Sequence, residues 1–421
     1  SRRAQDVSDK ESLISIAQPW LGEEEAEAAR RAILSGWVTQ GPEVAAFESE
    51  FATFVGAKHA CAVSSGTTAL HLALLVVGVR RGDEVITVSH SFIATANSIR
   101  YCGAVPVFVD IEPSTFNMNP AGIERVISER TRAILCVHQM GMPCNLSKIL
   151  KIGRKHNLPV IEDAACAIGS EILYGDDWEK IGKPHGDIAC FSFHPRKIIT
   201  TGDGGMITTS NGQWDNQFRL WRHQGMSVAD TKRHEAKEVI FESYPVVGYN
   251  YRMTDIQAAI GREQLKRLRQ IIERRGVLAG RYKELLAEVP GLRLPDEPPW
   301  AKSNWQSYCV NLPDRCDQRQ LMQAMLDADV STRRGAMCAH REPAYRRGQW
   351  SCGVGPGTCG CPTGTCARLG ESENAQDRAV ALPLFHQMTD AEQDKVADAL
   401  FTAILGQITA EVKSTQDIAT A

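Results

Sequence analysis

Residues 190–206 read CFSFHPRKIITTGDGGM, and this stretch decides the fold of the chain. The apolar segment that surrounds its start, Ile188 to Phe193, has the β-branched and aromatic residues of a buried strand. A glycine-rich turn follows at 202–205, and Met206 to Thr209 predicts a second strand. Lys197 is therefore expected at a tight connection between two buried strands, where a lysine contributes little to solubility.

A lysine in such a position suits Schiff-base chemistry. Its amine can form an imine with a carbonyl cofactor when its surroundings keep it neutral. Pyridoxal phosphate (PLP) is a cofactor that uses a lysine in this way. Lys197 is therefore the first indication of a PLP enzyme.

The composition is typical of a soluble globular protein. The chain has 421 residues, 43% hydrophobic and 23% charged, enough for a large domain and a smaller one. A net charge of −3 favours neither nucleic acid nor a membrane surface. No apolar run reaches the roughly 18 residues of a membrane span, and no signal peptide is evident. With 13 cysteines, several in apolar segments, we expect a reducing, cytoplasmic setting.

Short apolar strands alternate with helical segments in the first half of the chain. Strands are predicted at 60–63, 84–88, 105–109, 133–137 and 159–161. Helices are predicted at 22–35, 42–55, 67–77, 93–101, 120–128 and 147–156. This alternation predicts an α/β fold, with a mostly parallel central sheet and helices on both of its faces.

The alternation stops after Gly205. One long helix is predicted from Met253 to about Glu288, and such helices often link a large domain to a small one. Further elements are predicted at 303–312 (strand), 317–328 (helix) and 389–405 (helix). We therefore expect three parts: an N-terminal arm at 1–17, a large domain at 18–265, and a smaller C-terminal α+β domain at 266–421.

Candidate site residues fall where strands end or helices begin, which is where α/β folds bind ligands. Ser65, Gly66 and Thr67 open a helix with free N–H groups, which suits a phosphate. Asp163 ends a buried strand, where a carboxylate can keep a pyridine nitrogen protonated. Phe92 lies at a strand-to-helix junction and can stack on a flat ring. Taken singly, the first motif is better explained as an ordinary helix cap and Phe92 as a core residue, while Asp163 could equally be a solvated carboxylate.

Together, the motifs resemble the DegT/DnrJ/EryC1/StrS family of PLP-dependent sugar aminotransferases, within the fold-type I aspartate aminotransferase superfamily. The resemblance extends from about Gly36 to Leu384. The motifs that carry it are GWVTQGP at 36–42, SSGTTAL at 64–70, EDAA at 162–165, SFHPRK at 192–197, TGDGG at 201–205 and GYNYRM at 248–253. The resemblance implies a fold-type I PLP transferase.

The resemblance also implies roles around the cofactor ring. Lys197 forms the Schiff base with PLP and shuttles protons, Asp163 pairs with the pyridine nitrogen, and Phe92 stacks on the ring. Cys166 stands near the ring hydroxyl, where the family often has Gln or His. Because a thiol is a weak hydrogen-bonding group, that contact is expected to be missing or made through water.

A second group of residues is implied at the cofactor phosphate. Ser65, Gly66 and Thr67, with the hydroxyl of Ser192, hold it from within the chain. Asn250 matches the residue that reaches the phosphate from a second subunit. The resemblance therefore implies a homodimer with shared active sites.

The implied reaction moves an amino group from glutamate or glutamine to a keto sugar, usually a nucleotide-linked 3- or 4-keto-6-deoxy sugar. The pathway would be amino-sugar biosynthesis, for secondary metabolites such as antibiotics or for the cell envelope. Candidate substrate contacts are cationic or aromatic side chains: Arg222, His223, Arg333, Arg334, His340 and Tyr345. Each of them could instead be an ordinary surface residue.

Three alternatives stay open at this point. The substrate could be an aminocyclitol precursor rather than a nucleotide sugar. The chain could be a PLP-dependent sugar dehydratase, although family dehydratases have His at the position of Lys197. It could also be a non-catalytic PLP-binding regulator, against which the intact pair of Lys197 and Asp163 argues.

A cysteine-rich loop is predicted at 346–372. Its thiols, Cys352, Cys359, Cys361 and Cys366, could in principle bind zinc. Their spacing lacks the paired C-x-x-C of common zinc sites, so we favour a loop without metal.

Overall fold

The computed structural model describes residues 13–228, 236–345, 348–353 and 361–419, with side chains described as far as residue 409. In these ranges, no helix combines the length and apolar character needed to cross a bilayer. A seven-stranded sheet forms the centre of the molecule, and two three-stranded sheets lie beside it.

Helices and strands alternate as far as the end of the central sheet. In chain order they are α1 (Glu23–Ser35), α2 (Pro42–Val55), β1 (His59–Val63), α3 (Gly66–Val76), β2 (Glu84–Val88), α4 (Ile93–Tyr101), β3 (Val105–Val109), β4 (Thr131–Val137), α5 (Leu146–His156), β5 (Val160–Asp163), β6 (Glu171–Tyr174), β7 (Asp177–Lys180), β8 (Ile188–Ser192) and β9 (Gly205–Thr209).

The remaining elements follow the central sheet. They are α6 (Gly212–Arg222), α7 (Asp255–Leu285), β10 (Ala301–Lys302), β11 (Tyr308–Asn311), α8 (Gln318–Asp327), β12 (Arg333–Arg334), α9 (Gly370–Arg378), β13 (Ala379–Leu382) and α10 (Asp390–Ala419).

The central sheet has the strand order β1-β9-β8-β5-β4-β2-β3. Only β9 runs against its neighbours β1 and β8, while β8, β5, β4, β2 and β3 pair in parallel. Successive residues of β1 join different hydrophobic clusters, Ala60 on one face and Cys61 on the other. Alternate residues of a strand point to opposite faces, so the central sheet is apolar on both faces, and helices cover both of them. The predicted α/β class is confirmed.

The connection between β8 and β9 carries Lys197. Ser192 pairs with Gly205 at the point where the two strands separate. A Cβ atom at Gly205 would lie 2.4 Å from the carbonyl oxygen of Ser65, so only glycine permits this approach. The tight turn therefore presses the lysine-bearing loop against the start of α3.

A second hydrophobic cluster lies outside the central sheet. It joins Leu278 and Tyr282 of α7 to the strands β11 and β13 and to α10. The helix α7 is continuous across residue 265, where the sequence placed the domain boundary. That boundary stays a prediction.

Some elements differ from the sequence predictions. The helix expected at 120–128 is two short 3₁₀ turns, Pro120–Gly122 and Glu124–Val126, and the backbone is extended again at Ile127. Helix α6 and the hairpin of β6 and β7 were not predicted. Residues 1–12 of the expected N-terminal arm lie outside the described residues.

The start of α2 depends on a carboxylate from far along the chain. Buried Asp255 accepts hydrogen bonds from the N–H groups of Gly41 at 2.7 Å, Val44 at 3.0 Å and Glu43 at 3.1 Å. These are first-turn donors that the helix itself cannot satisfy. The contact therefore ties α7 to α2.

We predict that Asp255→Ala lowers the free energy of unfolding by about 1–3 kcal/mol, because it leaves buried N–H groups unpaired. Urea denaturation measures this loss. As a control, Asp296→Ala removes an exposed ion pair with Lys283 and should change stability by less than about 1 kcal/mol. Equal losses in the two variants would contradict the assignment.

Candidate active site

Lys197 lies half-buried on the connection between β8 and β9. Its Nζ donates to the Sγ of Cys166 at 3.0 Å. Its backbone N–H donates to the carbonyl of His194 at 2.8 Å. Because Cys166 follows β5, this contact joins the loops at the carboxyl ends of two neighbouring parallel strands.

Asp163 ends β5 and is buried. Its carboxylate accepts a hydrogen bond from the hydroxyl of Thr95 at 2.8 Å and one from the N–H of Ala165 at 3.2 Å. Burial raises the pKa of the Asp163 carboxyl, while these hydrogen bonds and the charge of Lys197 oppose the rise. A buried carboxylate of this kind is stabilised by a cationic partner placed against it.

The start of α3 offers a site for an anion. Ser65 caps the helix by accepting from the N–H of Thr68 at 3.2 Å. Among the residues that the structure describes, no hydrogen bond uses the N–H groups of Gly66 and Thr67. A Cβ at Gly66 would lie 2.7 Å from the Cβ of Ser192, so the helix start and this hydroxyl meet at one place. The arrangement suits a phosphate.

Phe92 stands at the N-terminal end of α4, one turn before Thr95. Its side chain is 65% exposed, although it is large and apolar. An exposed aromatic ring on the helix that holds Asp163 through Thr95 is available to stack on a flat ligand.

Asn250 is exposed and lies between two tyrosines whose backbones are held in place. The N–H of Tyr251 donates to the carbonyl of Arg222 at 3.0 Å, and its carbonyl accepts from the N–H of Ser64 at 2.8 Å. The segment that carries Asn250 is therefore fixed beside the end of β1.

Three predicted substrate contacts, Arg222, His340 and Tyr345, have side chains that are buried in contacts within the protein. The guanidinium of Arg222, the last residue of α6, forms an ion pair with the carboxylate of Glu48 on α2. Nδ1 of His340 lies 2.6 Å from the hydroxyl of Ser89, and its Nε2 lies 3.0 Å from Glu373. The hydroxyl of Tyr345 donates to Asn97 of α4 at 2.7 Å. These contacts hold secondary-structure elements together, and the role of the three residues toward a substrate stays a prediction.

The other three candidates differ in exposure. His223 is buried, with Nδ1 2.9 Å from a guanidinium nitrogen of Arg252. Arg333 and Arg334 are exposed on β12, and Arg334 lies 3.4 Å from Glu342. Partial burial and the charge of Arg333 lower the pKa of Arg196, the neighbour of Lys197.

Thr95, the direct hydrogen-bond partner of Asp163, was not predicted from the sequence. Its position three residues after Phe92, on the same face of a predicted helix, was the available signal. Asn304 and Gln306 were also missed, and they contact the loops of Cys166 and Lys197 from 138 and 110 positions away.

The cysteine-rich loop is only partly described. Cys352 and Cys366 are buried in a cluster with Phe108 and Tyr345. Cys359 lies outside the described residues. Within the described part of the chain, no group of three or more His, Cys, Asp or Glu side chains is arranged for a metal. The expectation of a loop without metal stays a prediction.

Comparison with known proteins shows similarity over nearly the whole chain. The family model described as the DegT/DnrJ/EryC1/StrS aminotransferase family matches residues 19–401. The spore coat polysaccharide biosynthesis protein SpsC of Bacillus subtilis is 34% identical over 95% of this chain and 99% of its own length. GDP-perosamine synthase of Caulobacter vibrioides is 45% identical over 66% of this chain and 71% of its own length.

Solved structures show the same fold. The aminotransferase TlmJ of Streptoalloteichus hindustanus is 30% identical with a TM-score of 0.82, covering 94% of this chain and 99% of its own. DesV of S. venezuelae is 30% identical with a TM-score of 0.78, covering 90% and 94% of the two chains. The fold-type I prediction is confirmed.

The raised pKa of Asp163 predicts a cost in stability. A carboxyl whose pKa is higher in the folded state stabilises the fold below its unfolded pKa, and this contribution is lost as pH rises through the folded pKa. At pH 8, burial of the charged Asp163 carboxylate therefore lowers the stability of the ligand-free protein. We predict that Asp163→Asn raises its Tm at pH 8 by about 1–3 °C.

Calorimetry without ligand at pH 8 and at pH 4 tests this prediction. The gain from Asp163→Asn should shrink at pH 4, because a larger fraction of the wild-type carboxyl is protonated there than at pH 8. A lower Tm for the variant at pH 8 would show that the charge stabilises the ligand-free fold.

Proposed function

The chain belongs to the DegT/DnrJ/EryC1/StrS family of PLP-dependent aminotransferases, and from this premise we propose that it aminates a nucleotide-linked keto sugar in the cytoplasm. The amino donor is glutamate or glutamine, and the acceptor is a 3- or 4-keto-6-deoxy sugar. The similarity to a GDP-perosamine synthase supports a nucleotide-linked acceptor. The observation that carries the proposal is the contact of Lys197 with Cys166, made from the loop that follows β8, the parallel neighbour of the strand that ends in buried Asp163.

The described residues fit PLP. The start of α3 and the hydroxyl of Ser192 form a place for its phosphate, and a side chain larger than Gly66 would fill that place. Asp163 is a buried carboxylate suited to a protonated ring nitrogen, and Phe92 offers an exposed aromatic face. When bound, PLP supplies an aldehyde that joins to amines and a ring that draws electrons from the reacting carbon.

Lys197 is the residue that moves protons in this proposal. Its Nζ removes a proton from the amine-bearing carbon of the donor and delivers it to the PLP carbon that carries the transferred nitrogen. Only a neutral amine can remove that proton. The contact with Sγ of Cys166 holds Nζ on the side of the loop that faces β5. In this way the lysine serves first as the attachment point and then as the base.

Asp163 orients the cofactor ring and keeps its nitrogen protonated. Thr95 and Ala165 fix the carboxylate through hydrogen bonds to its two oxygens. A carboxylate held in this way keeps a ring nitrogen protonated, which makes the ring a better acceptor of electrons.

We further propose a homodimer in which Asn250 completes the site of the partner. Asn250 is exposed in its own chain. The segment before it exposes large apolar side chains: Val239 is 83% exposed, and Phe241 and Val247 are each 91% exposed. Such a patch is typical of a surface covered by another chain. A second copy is the occupant that the family implies.

We predict that Lys197→Ala loses at least about 10³-fold in transamination, because both its covalent and proton-transfer roles disappear. The assay converts the amine form of the cofactor back to PLP with a panel of keto sugars. It also separates the alternatives, since a dehydratase releases no amino sugar and a regulator leaves the cofactor band unchanged. Full activity in Lys197→Ala would refute the proposal.

Shared sites predict complementation between two inactive variants. In a mixed dimer of Lys197→Ala and Asn250→Ala chains, one site carries both changes and the other carries neither. Refolding the two variants together should restore about a quarter of wild-type activity, since half of the dimers are mixed. Each variant refolded alone is the control. Activity that does not rise on mixing would show that Asn250 serves its own chain or none.

A further inference from the structure

A single side chain holds the peptide groups on both sides of Lys197. Oε1 of Gln306 accepts from the N–H of Ile198 at 3.0 Å, and Nε2 of Gln306 donates to the carbonyl of Arg196 at 2.6 Å. Gln306 is nearly buried, so water cannot easily replace these bonds. The amide therefore fixes the backbone from which the lysine side chain projects.

Gln306 is itself held firmly. Its N–H donates to Oδ1 of Asn304 at 2.9 Å. Buried Arg275 of α7 donates to the carbonyls of Trp305 and Gln306, both at 2.8 Å. Trp305 has a φ of 53°, a left-handed conformation that is unfavourable for a bulky residue. The neighbouring hydrogen bonds offset the cost of that conformation.

The same segment also holds the loop of Cys166. Nδ2 of Asn304 donates to the carbonyl of Cys166 at 2.9 Å and to that of Ile168 at 2.8 Å. The side-chain amides of Asn304 and Gln306, two positions apart, thus fix both of the loops that meet at the contact of Lys197 with Cys166. Asn304 and Gln306, which lie outside the central sheet, therefore set the distance between the loop of Cys166 and the loop of Lys197.

We propose that Gln306 is a positioning residue that aims Lys197 at the cofactor and at the reacting carbon. This inference rests on the proposed function, because it assigns a role toward the same lysine. Gln306 acts through the backbone of Arg196 and Ile198 and takes no proton itself. Since a misplacement of about 1 Å can cost on the order of 10²-fold in rate, loosening this backbone should slow the chemical step.

The test compares Gln306→Leu with a matched control, Gln318→Leu. Gln318 also donates from its amide to two carbonyls, those of Gln376 and Ala379, at 3.0 and 2.8 Å, but away from the lysine loop. PLP is added to each cofactor-free protein, and the rate at which the Schiff-base absorbance band forms is followed. The pH dependence of that band and the kcat and KM of transamination are then measured.

We expect Gln306→Leu to slow band formation by about 10-fold or more and to shift the pH profile of the band. Its kcat should fall by about 10- to 100-fold, while KM for the amino donor changes little. Gln318→Leu should match the wild type in all of these measurements. Gln306→Asn keeps the amide but is one methylene shorter, so it should fall between wild type and Gln306→Leu.

Equal band formation and equal pH profiles in the Gln306 and Gln318 variants would overturn the inference. If Gln306→Leu fails to fold, Gln306→Asn decides, because a folded variant with wild-type band kinetics contradicts the role. Failure of the proposed function looks different: the wild type itself would then form no band or would not transaminate.

Discussion

The close contact between the start of α3 and the turn into β9 is the constraint on which the site depends. Gly205 lies so near the carbonyl of Ser65 that a Cβ atom would clash. Because β9 is also the antiparallel partner of β8, this contact sets where the lysine loop leaves the sheet. The helix start, Ser192 and Lys197 are thereby brought to one edge.

Around that edge, polar side chains from several secondary-structure elements form hydrogen bonds with one another and with backbone groups. Thr95 from α4 hydrogen-bonds Asp163 from β5, and Asn304 and Gln306 bind the loops that follow β5 and β8. Each of these side chains bonds to a backbone group or to a carboxylate, and these hydrogen bonds add to the packing of Ile168 and Ile198 in the main hydrophobic cluster. Such pre-organisation is what a site that moves protons over short distances requires.

The predicted substrate contacts show what residue type alone leaves open. Arg222, His340 and Tyr345 have side chains that commonly bind anions or sugars, but a residue type says nothing about burial. In the folded chain Arg222 neutralises Glu48, which is more than a hundred positions away. His340 and Tyr345 join the segment after β12 to Ser89, which follows β2, and to Asn97 in the middle of α4. Long-range partners of this kind leave no periodic pattern in the sequence.

The sequence by itself determined the alternating α/β fold, the strands on either side of Lys197, and the candidate positions of Asp163 and Gly66. Those follow from local patterns, namely hydrophobic period, glycine turns and helix starts. Only the tertiary structure decided which distant side chains hold them in place, such as Thr95 for Asp163 and Gln306 for Lys197. The physical reason is that hydrogen bonds between distant segments depend on how the whole chain packs, whereas strands and turns depend mainly on neighbouring residues.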